Sequence, residues 1–186
     1  SITFAGGIGI IPPGFTTSIV LNLEPGTYVW FCGLPTPDGA MHSAKGMITS
    51  FDVVAPEAAS DAEPPEADIT VDMLDYGYTG LEEPLAAGTH AIEVANSGTE
   101  GHEMLLMQLA PGATLEEALM SLEAPPDGPP PAIPYGGMQV LPPGSTGWLI
   151  QDFAPGTYVA VCFVPSFANE GQPHIALGMV TEFTVE

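Results

Sequence analysis

The chain of 186 residues suits one large domain or two small ones, and its hydrophobic fraction of 45% is ordinary for a folded protein. Its 23 acidic residues face one lysine and no arginine, so the formal net charge is −22 at pH 7. This balance disfavours nucleic acids and anionic lipid surfaces as partners, because both need clustered Lys and Arg. Two interpretations fit this charge. The acidic surface attracts a basic partner at low salt, or it keeps the protein soluble, for instance in a salty medium.

The 22 glycines and 21 prolines are spread among short β-branched runs, which predicts an all-β fold with many turns. No apolar run approaches the roughly 18 residues that cross a bilayer, so we expect no transmembrane segment. No stretch of the sequence has the pattern of a signal peptide either, as expected of a mature protein whose leader has been removed. We expect a mature exported protein, periplasmic or extracellular. If it associates with a membrane, we expect a partner or a missing N-terminal segment to attach it.

An internal repeat begins at the third residue. TFAGGIGIIPPGFTTSIVLNLEPGTYVWFC (3–32) aligns without a gap with IPYGGMQVLPPGSTGWLIQDFAPGTYVAVC (133–162), at an offset of 130 residues. In each copy Pro-Pro-Gly predicts a turn, alternating residues predict a strand, and Pro-Gly predicts the turn into a strand that ends at cysteine. Short turns between neighbouring strands predict antiparallel pairing. The alternating strands are predicted at 16–23 and 146–153, and closing strands at 47–54 and 179–185.

Between the copies, 55–68 (APEAASDAEPPEAD) is rich in Pro, Ala and acidic residues, a composition typical of a linker. Three strand candidates follow from Ile69. A short helix is predicted at 115–122, because Thr114 can cap it and Glu117 stands three residues on, as a capping box requires.

We therefore predict the C-terminal half of a first domain at 1–54, a linker at 55–68 and a complete second domain at 69–186. Half a sandwich would leave an apolar face and unpaired strand edges. Three explanations fit: upstream residues missing from this version of the chain, strands supplied by a partner, or cover by the second domain. The first of these is preferred.

Each copy carries Cys, His and Met on the loop between its last two strands. Eleven residues separate Cys162 from His174, and four separate His174 from Met179. A thiolate, an imidazole and a thioether on one loop are the ligand set of a mononuclear copper site. A second imidazole is available at His102, in the predicted loop NSGTEGH; the glutamates beside it are expected surface acids in so acidic a chain. Each residue taken alone is also consistent with a plain structural role.

Asn96-x5-His102 and Cys162-x11-His174-x4-Met179, following a Gly-Thr-Tyr strand, together resemble the cupredoxin, or blue copper, family. The resemblance implies two Greek-key β-sandwich units, the first present only as its C-terminal half, and copper in the second. The implied ligands are His102, Cys162, His174 and Met179, and in the first copy Cys32, His42 and Met47. The first copy has nine residues in its Cys-to-His loop, and its upstream histidine is not in the chain.

Other chemistry is disfavoured by what the sequence lacks. Four histidines, none in a His-x-His pair, are too few for a trinuclear copper cluster, and two cysteines 130 residues apart exclude two bridging thiolates. No Gly-x-Ser-x-Gly elbow or phosphate-binding loop is present. We therefore expect a protein that is not an enzyme.

The resemblance implies an exported copper protein that passes single electrons to a protein redox partner, such as a c-type cytochrome or a membrane redox complex. The alternative is an accessory subunit with degenerate or empty copper sites, docked on the periplasmic face of a respiratory or photosynthetic membrane complex. A copper chaperone or storage role is weaker, because the sequence shows no clustered Met or His.

Overall fold

The computed structural model describes residues 3–56, 63–124 and 126–186, and strands make up most of their regular structure. In chain order the elements are β1 (Thr17–Leu21), β2 (Gly26–Phe31), β3 (Ile48–Val53), β4 (Ile69–Leu74), β5 (Gly77–Thr79), β6 (Gly88–Asn96), β7 (His102–Leu109), α1 (Leu115–Glu123), β8 (Ala132–Leu141), β9 (Thr146–Phe153), β10 (Gly156–Val161) and β11 (Val180–Val185). Short 3-10 helices lie at Ser43–Lys45 and His174–Leu177. Residues 57–62 of the predicted linker lie outside the described residues.

Two sheets build a sandwich from β1 and the strands of residues 69–186. One has the strand order β1-β9-β6-β4-β5, and the other has the order β11-β10-β7-β8. One buried cluster joins their inner faces, with Val71, Ile92 and Leu149 from the first sheet and Leu106 and Tyr158 from the second. Burying each such side chain stabilises the fold by roughly 1.5–3 kcal/mol. The predicted all-β sandwich is confirmed.

The short helix predicted for this domain is confirmed as α1. Thr114 Oγ1 accepts a hydrogen bond from the N–H of Glu117 (3.2 Å), and Glu117 Oε2 accepts one from the N–H of Thr114 (2.9 Å). Ala118 packs in a second buried cluster with Val159 and Val161 of β10, so the helix covers the outer face of the four-stranded sheet. Among the described helices, none has the length and apolar character to cross a membrane.

We expect Thr114→Ala to lower the free energy of unfolding by about 1 kcal/mol, because it leaves the N–H of Glu117 without its capping oxygen. Thr114→Ser keeps a hydroxyl at the same position and is the matched control. Chemical denaturation of both variants measures the difference. An unchanged midpoint for Thr114→Ala would show that α1 does not depend on this cap.

β1 belongs to the first repeat, yet it pairs antiparallel with β9, its own counterpart in the second repeat. The register joins Ile19 to Leu149, positions that the repeat offset makes equivalent. On either side of it, Thr17 pairs with Gln151 and Leu21 pairs with Gly147. Gly147 is the repeat equivalent of Thr17, and Gln151 is the repeat equivalent of Leu21, so these two pairs are equivalent to each other.

Residues 6–10 repeat this arrangement against β8. The N–H of Gly6 donates to the carbonyl of Val140 (2.9 Å), and the N–H of Gly136 donates to the carbonyl of Ile10 (2.7 Å). Gly136 is the repeat equivalent of Gly6, and Val140 is the repeat equivalent of Ile10, so each of these two hydrogen bonds is the counterpart of the other. Both segments of the first repeat therefore meet the second repeat about a local two-fold axis, as in the interface of a symmetric dimer.

Contacts divide the chain into two compact units, Ser1–Leu21 with Pro64–Glu186, and Asn22–Glu63. The boundaries predicted from the sequence, 1–54, 55–68 and 69–186, divide it differently, because backbone hydrogen bonds join β1 to β9. In the second unit, β2 and β3 form a two-stranded antiparallel sheet. The tandem arrangement of two cupredoxin domains stays a prediction.

Candidate metal centre

Backbone hydrogen bonds fold the loop after β10 around its predicted ligands. The N–H of Cys162 donates to the carbonyl of Met179 (3.3 Å), and the N–H of Met179 donates to the carbonyl of His174 (2.9 Å). The N–H of His174 donates in turn to the carbonyl of Val164 (2.9 Å). Gly178, at φ 107°, ends the 3-10 helix in the left-handed conformation that glycine adopts at low cost. The loop therefore holds the cysteine, histidine and methionine next to one another.

His102 is the first residue of β7, and the turn before it fixes its position. Asn96, buried at the end of β6, donates through Nδ2 to the carbonyls of Glu100 (2.9 Å) and Leu141 (2.8 Å). Its Oδ1 accepts the N–H of Gly98 (2.9 Å). A Cβ at position 98 would collide with the ring of His102. Glycine there lets the turn pack directly against the imidazole.

Three of the predicted ligands meet at one point. His102 Nδ1 lies 2.9 Å from His174 Nδ1, and Cys162 Sγ lies 3.4 Å from the same His174 nitrogen. The three ligand atoms lie within 4.8 Å of one another, and all three residues are completely buried. Met179 is also buried and belongs to the same core cluster as Cys162. Within residues 3–56, 63–124 and 126–186, this is the one place where three His, Cys, Asp or Glu side chains gather in this way.

The donor set fits copper. Two Nδ1 atoms 2.9 Å apart have room for one proton between them, so at least one of them is an unprotonated nitrogen. Two imidazoles and a cysteine sulfur, with a methionine beside them, are the trigonal His2Cys set with a weak axial Met that copper takes. The predicted cofactor therefore agrees with the side chains that the fold brings together.

A carboxylate lies at the outer nitrogen of each histidine. His102 Nε2 lies 2.9 Å from Asp75 Oδ1. His174 Nε2 lies 3.3 Å from Glu100 Oε2, an electrostatic contact that falls short of hydrogen-bond geometry. Burial raises the pKa of Asp75, but hydrogen bonds from Thr99 and His102 outweigh burial and lower that pKa to about 2. An ionised carboxylate holds the proton of the imidazole on Nε2, which leaves Nδ1 free to bind a metal.

Tyr76 covers His174 and holds Glu100 in place. Its ring meets the imidazole edge-on, with the centroids 5.1 Å apart, and its OH donates to Glu100 Oε2 (3.0 Å). Burial raises the pKa of Glu100, but hydrogen bonds from Ser166 and Tyr76 outweigh burial and lower it. The backbone of Tyr76 has φ 70°, in the left-handed region that non-glycine residues rarely adopt. This backbone strain lies in the turn between β4 and β5, beside the cluster of His102, Cys162 and His174.

The protonation of the cluster also suits a metal ligand set. Burial raises the pKa of the Cys162 thiol to about 11, and the carboxylate of Glu103 contributes to the rise. Burial and the neighbouring His102 lower the pKa of His174. At neutral pH the metal-free cluster therefore holds a protonated thiol and a neutral imidazole at position 174. Cys162 would therefore have to lose its thiol proton in order to hold a metal there.

We expect Glu103→Gln to raise the free energy of unfolding at neutral pH. Burial raises the pKa of Glu103 above its unfolded value, so the ionised carboxylate costs stability above that value, about 4.3. The cost shrinks as the pH falls below the folded pKa, and it is gone once the pH lies below the unfolded value. Glutamine can still accept the N–H of Phe163 (2.9 Å). The gain should vanish near pH 4, and the exposed control Glu116→Gln should show none; a gain that persists in acid would contradict this account.

The first copy brings two of its three predicted ligands together. Cys32 Sγ lies 3.6 Å from His42 Nδ1, at a half-buried position. The N–H of Cys32 donates to the carbonyl of Met47 (3.0 Å), and the N–H of Met47 donates to the carbonyl of His42 (3.0 Å), as in the second copy. No third His, Cys, Asp or Glu of the described residues joins this pair. The copper role of this loop stays a prediction.

Several residues that shape the site carry no recognisable signal in the sequence. Asp75 and Tyr76 lie far before His102 in the chain, on the turn between β4 and β5. Glu103 is predicted as an ordinary surface acid, and that prediction is wrong, because the sandwich buries it. Glu100 lies beside a ligand in sequence, but so acidic a chain gives its position no weight.

No protein-family model matches the chain, and no curated protein matches it in sequence. Among solved structures it is similar to the dithionite-reduced auracyanin of the photosynthetic bacterium Roseiflexus castenholzii, with 23% identity, TM-score 0.42, and coverage of 63% of this chain and 94% of that one. It is similar to auracyanin B, with 18% identity, TM-score 0.38, and coverage of 68% and 95%. It is also similar to auracyanin A, a "blue" copper protein of Chloroflexus aurantiacus, with 21% identity, TM-score 0.39, and coverage of 63% and 98%. All three solved structures are auracyanins, and auracyanin A is described as a blue copper protein, the class that the sequence pattern resembles.

Proposed function

We propose that the second domain, residues 69–186, binds one copper ion through His102, Cys162, His174 and Met179 and carries single electrons. The observation that carries the proposal is the completely buried cluster of two imidazole Nδ1 atoms and one cysteine sulfur within 4.8 Å. Bound copper supplies a one-electron couple.

The residues around the cluster hold the donors and keep water away. Asp75 and Asn96 fix the ring and the turn of His102, while the loop backbone fixes Cys162 and His174. Partners of this kind orient metal ligands and set their basicity. Because the ligand residues are buried, the site is shielded from solvent, and electrons have to pass through protein atoms to reach a partner.

The charge of the chain indicates the chemistry of that partner. A net charge of −22 attracts a basic protein surface at low salt. We infer an extracytoplasmic redox protein, such as a c-type cytochrome or a membrane redox complex, as the donor or acceptor. The chain is then a carrier and not an enzyme.

Stopped-flow mixing of the reduced copper protein with an oxidised basic c-type cytochrome tests this function. The second-order rate should fall by about tenfold or more as salt rises from about 10 mM to about 500 mM, because salt screens the attraction. Cys162→Ser, loaded with copper in the same way, is the control and should transfer no electrons. Absence of transfer, or a rate that salt leaves unchanged, would contradict the proposal.

One observation favours a second candidate, the accessory subunit. The β2–β3 hairpin exposes Val29, Trp30 and Phe31, apolar side chains that a stable docking partner would cover. A subunit held by such a surface stays bound to its complex as salt rises, whereas an electron carrier dissociates. Co-purification at low and high salt therefore separates the two candidates.

A further inference from the structure

The two imidazoles of the cluster differ in what holds their outer nitrogen. His102 Nε2 has a carboxylate oxygen at hydrogen-bond distance, Asp75 Oδ1 at 2.9 Å. His174 Nε2 is buried and has no hydrogen-bond partner among the described residues, although Glu100 Oε2 lies 3.3 Å away. A buried polar atom without a partner costs free energy, so this nitrogen is expected to gain one in another state of the site.

His174 Nε2 becomes a donor when Nδ1 binds a metal. A neutral imidazole carries one proton on its two nitrogens. The Nδ1 atoms of both histidines face the centre of the cluster, so a ring that binds through Nδ1 carries its proton on the outer nitrogen. For His174 the carboxylate beside that nitrogen is Glu100, and 3.3 Å is close to hydrogen-bond length. Glu100 is therefore placed to accept the proton of His174, as Asp75 is for His102.

The other oxygen of Glu100 holds the tip of the loop between β10 and β11. Glu100 Oε1 accepts the backbone N–H of Phe167 (2.9 Å) and that of Ala168 (3.4 Å). The neck of the loop is closed by its own backbone, because the N–H of Gly171 donates to the carbonyl of Ser166 (2.8 Å). The tip beyond this neck is attached to the turn before β7 through the Glu100 carboxylate.

Tyr76 connects the same carboxylate to the loop a second time. Its OH donates to Glu100 Oε2 (3.0 Å) and accepts the Nδ2–H of Asn169, at the loop tip (2.7 Å). Its ring lies edge-on against His174. The Glu100 side chain is 17% exposed, so water competes little for its two oxygens. The carboxylate, the tyrosine and the loop tip thus form one hydrogen-bonded network at the outer edge of the imidazole.

We propose that Glu100 is a positioning residue that joins His174 to the tip of this loop. Its Oε2 orients the imidazole, and its Oε1 holds the amides of Phe167 and Ala168. Filling the metal site strengthens the contact at Oε2 and thereby orders the loop tip, where Phe167 is 92% exposed. The state of a buried site is in this way transmitted to the surface. The attachment of the loop stands on the metal-free geometry, whereas the response to metal rests on the proposed function.

Glu100→Gln separates this role from the size of the side chain. Glutamine has the same length, but it offers one acceptor oxygen where glutamate offers two, and its NH2 group can only donate. It can therefore serve the loop amides or the side of His174, but not both. Glu170→Gln removes the same charge from an exposed side chain on the same loop and is the matched control.

Amide hydrogen exchange of the metal-free protein, followed by NMR, tests the attachment of the loop. We expect the amides of Phe167 and Ala168 to exchange about 10- to 100-fold faster in Glu100→Gln than in wild type, the usual effect of losing a hydrogen bond to a charged group. Glu170→Gln should exchange like wild type. Equal exchange in all three proteins would overturn the proposal.

Tyr76→Phe decides the matter if Glu100→Gln does not fold. It removes the OH that holds Glu100 Oε2 and keeps the ring that lies against His174. The amides of Phe167 and Ala168 should exchange about 2- to 10-fold faster than in wild type, because a neutral hydrogen bond is lost. Unchanged exchange of these two amides in Tyr76→Phe would also overturn the proposal.

Loading with Cu(I), a closed-shell ion that leaves NMR signals sharp, tests the response to metal. In wild type the Nε2–H of both histidines should be visible in ring nitrogen spectra, and the amides of Phe167 and Ala168 should slow further. In Glu100→Gln the His174 signal alone should be lost to exchange with water, while His102 keeps its own because Asp75 holds it.

A His174 Nε2–H that persists unchanged in Glu100→Gln would overturn the proposal, as would wild-type loop amides that do not respond to Cu(I). A chain that binds no Cu(I) would overturn the proposed function and, with it, the response to metal. The exchange measured without metal still decides in that case whether Glu100 holds the loop.

Discussion

Asp75→Asn is expected to weaken copper binding by about 10- to 100-fold, the usual cost of removing a partner that orients a metal ligand. Asp75 Oδ1 lies 2.9 Å from His102 Nε2, and its pKa of about 2 keeps the carboxylate ionised throughout the neutral range. The amide of asparagine cannot hold the Nε2 proton by charge, so Nδ1 is presented less firmly and the ring is less basic.

The matched control is Asp127→Asn, which removes the same charge from an exposed loop. Competition with a copper chelator of known affinity measures both variants, and the metal-free thermal midpoint shows whether the fold is preserved. An Asp75→Asn affinity equal to that of Asp127→Asn would mean that the carboxylate has no role in holding the ligand.

Copper affinity is expected to rise about tenfold for each pH unit between pH 6 and pH 8. The pKa of the Cys162 thiol is about 11, so the thiol is protonated across this range and each bound copper releases one proton. The pKa of His174 is lowered by burial and by His102, so its neutral imidazole adds no further proton. The sign follows from the thiol, because a ligand that must lose a proton binds better as the pH rises.

Calorimetric titration in two buffers with different ionisation enthalpies counts the protons released. Wild type should release about one proton per copper at pH 7, and Cys162→Ser should release none and lose the pH slope. A wild-type titration without proton release would mean that the thiol is not a ligand.

The sequence predicts the metal-type loop well because its information is local. The His-x4-Met spacing, the strand that ends at cysteine and the capping box at Thr114 each specify structure within a few residues. The fold buries the cysteine and the histidine of the second repeat together, as expected from alternating apolar strands on either side of the loop.

The placement of β1 could not be predicted in the same way. An offset of 130 residues shows that β1 and β9 are equivalent, but it does not show that equivalent strands pair with each other. Their pairing around Ile19 and Leu149 depends on the edge that β9 presents on the side away from β6, a property of the assembled fold. The carboxylates at the histidines depend equally on long-range packing, since the turn between β4 and β5 reaches the site only when both sheets are in place.

The measurement that tests the central claim most directly is a copper titration of the purified protein followed by visible absorption and EPR. The account predicts an intense thiolate-to-copper band that saturates at one copper per chain and is absent from Cys162→Ser. Saturation without such a band, or a band that survives in Cys162→Ser, would contradict a copper site built on His102, Cys162 and His174.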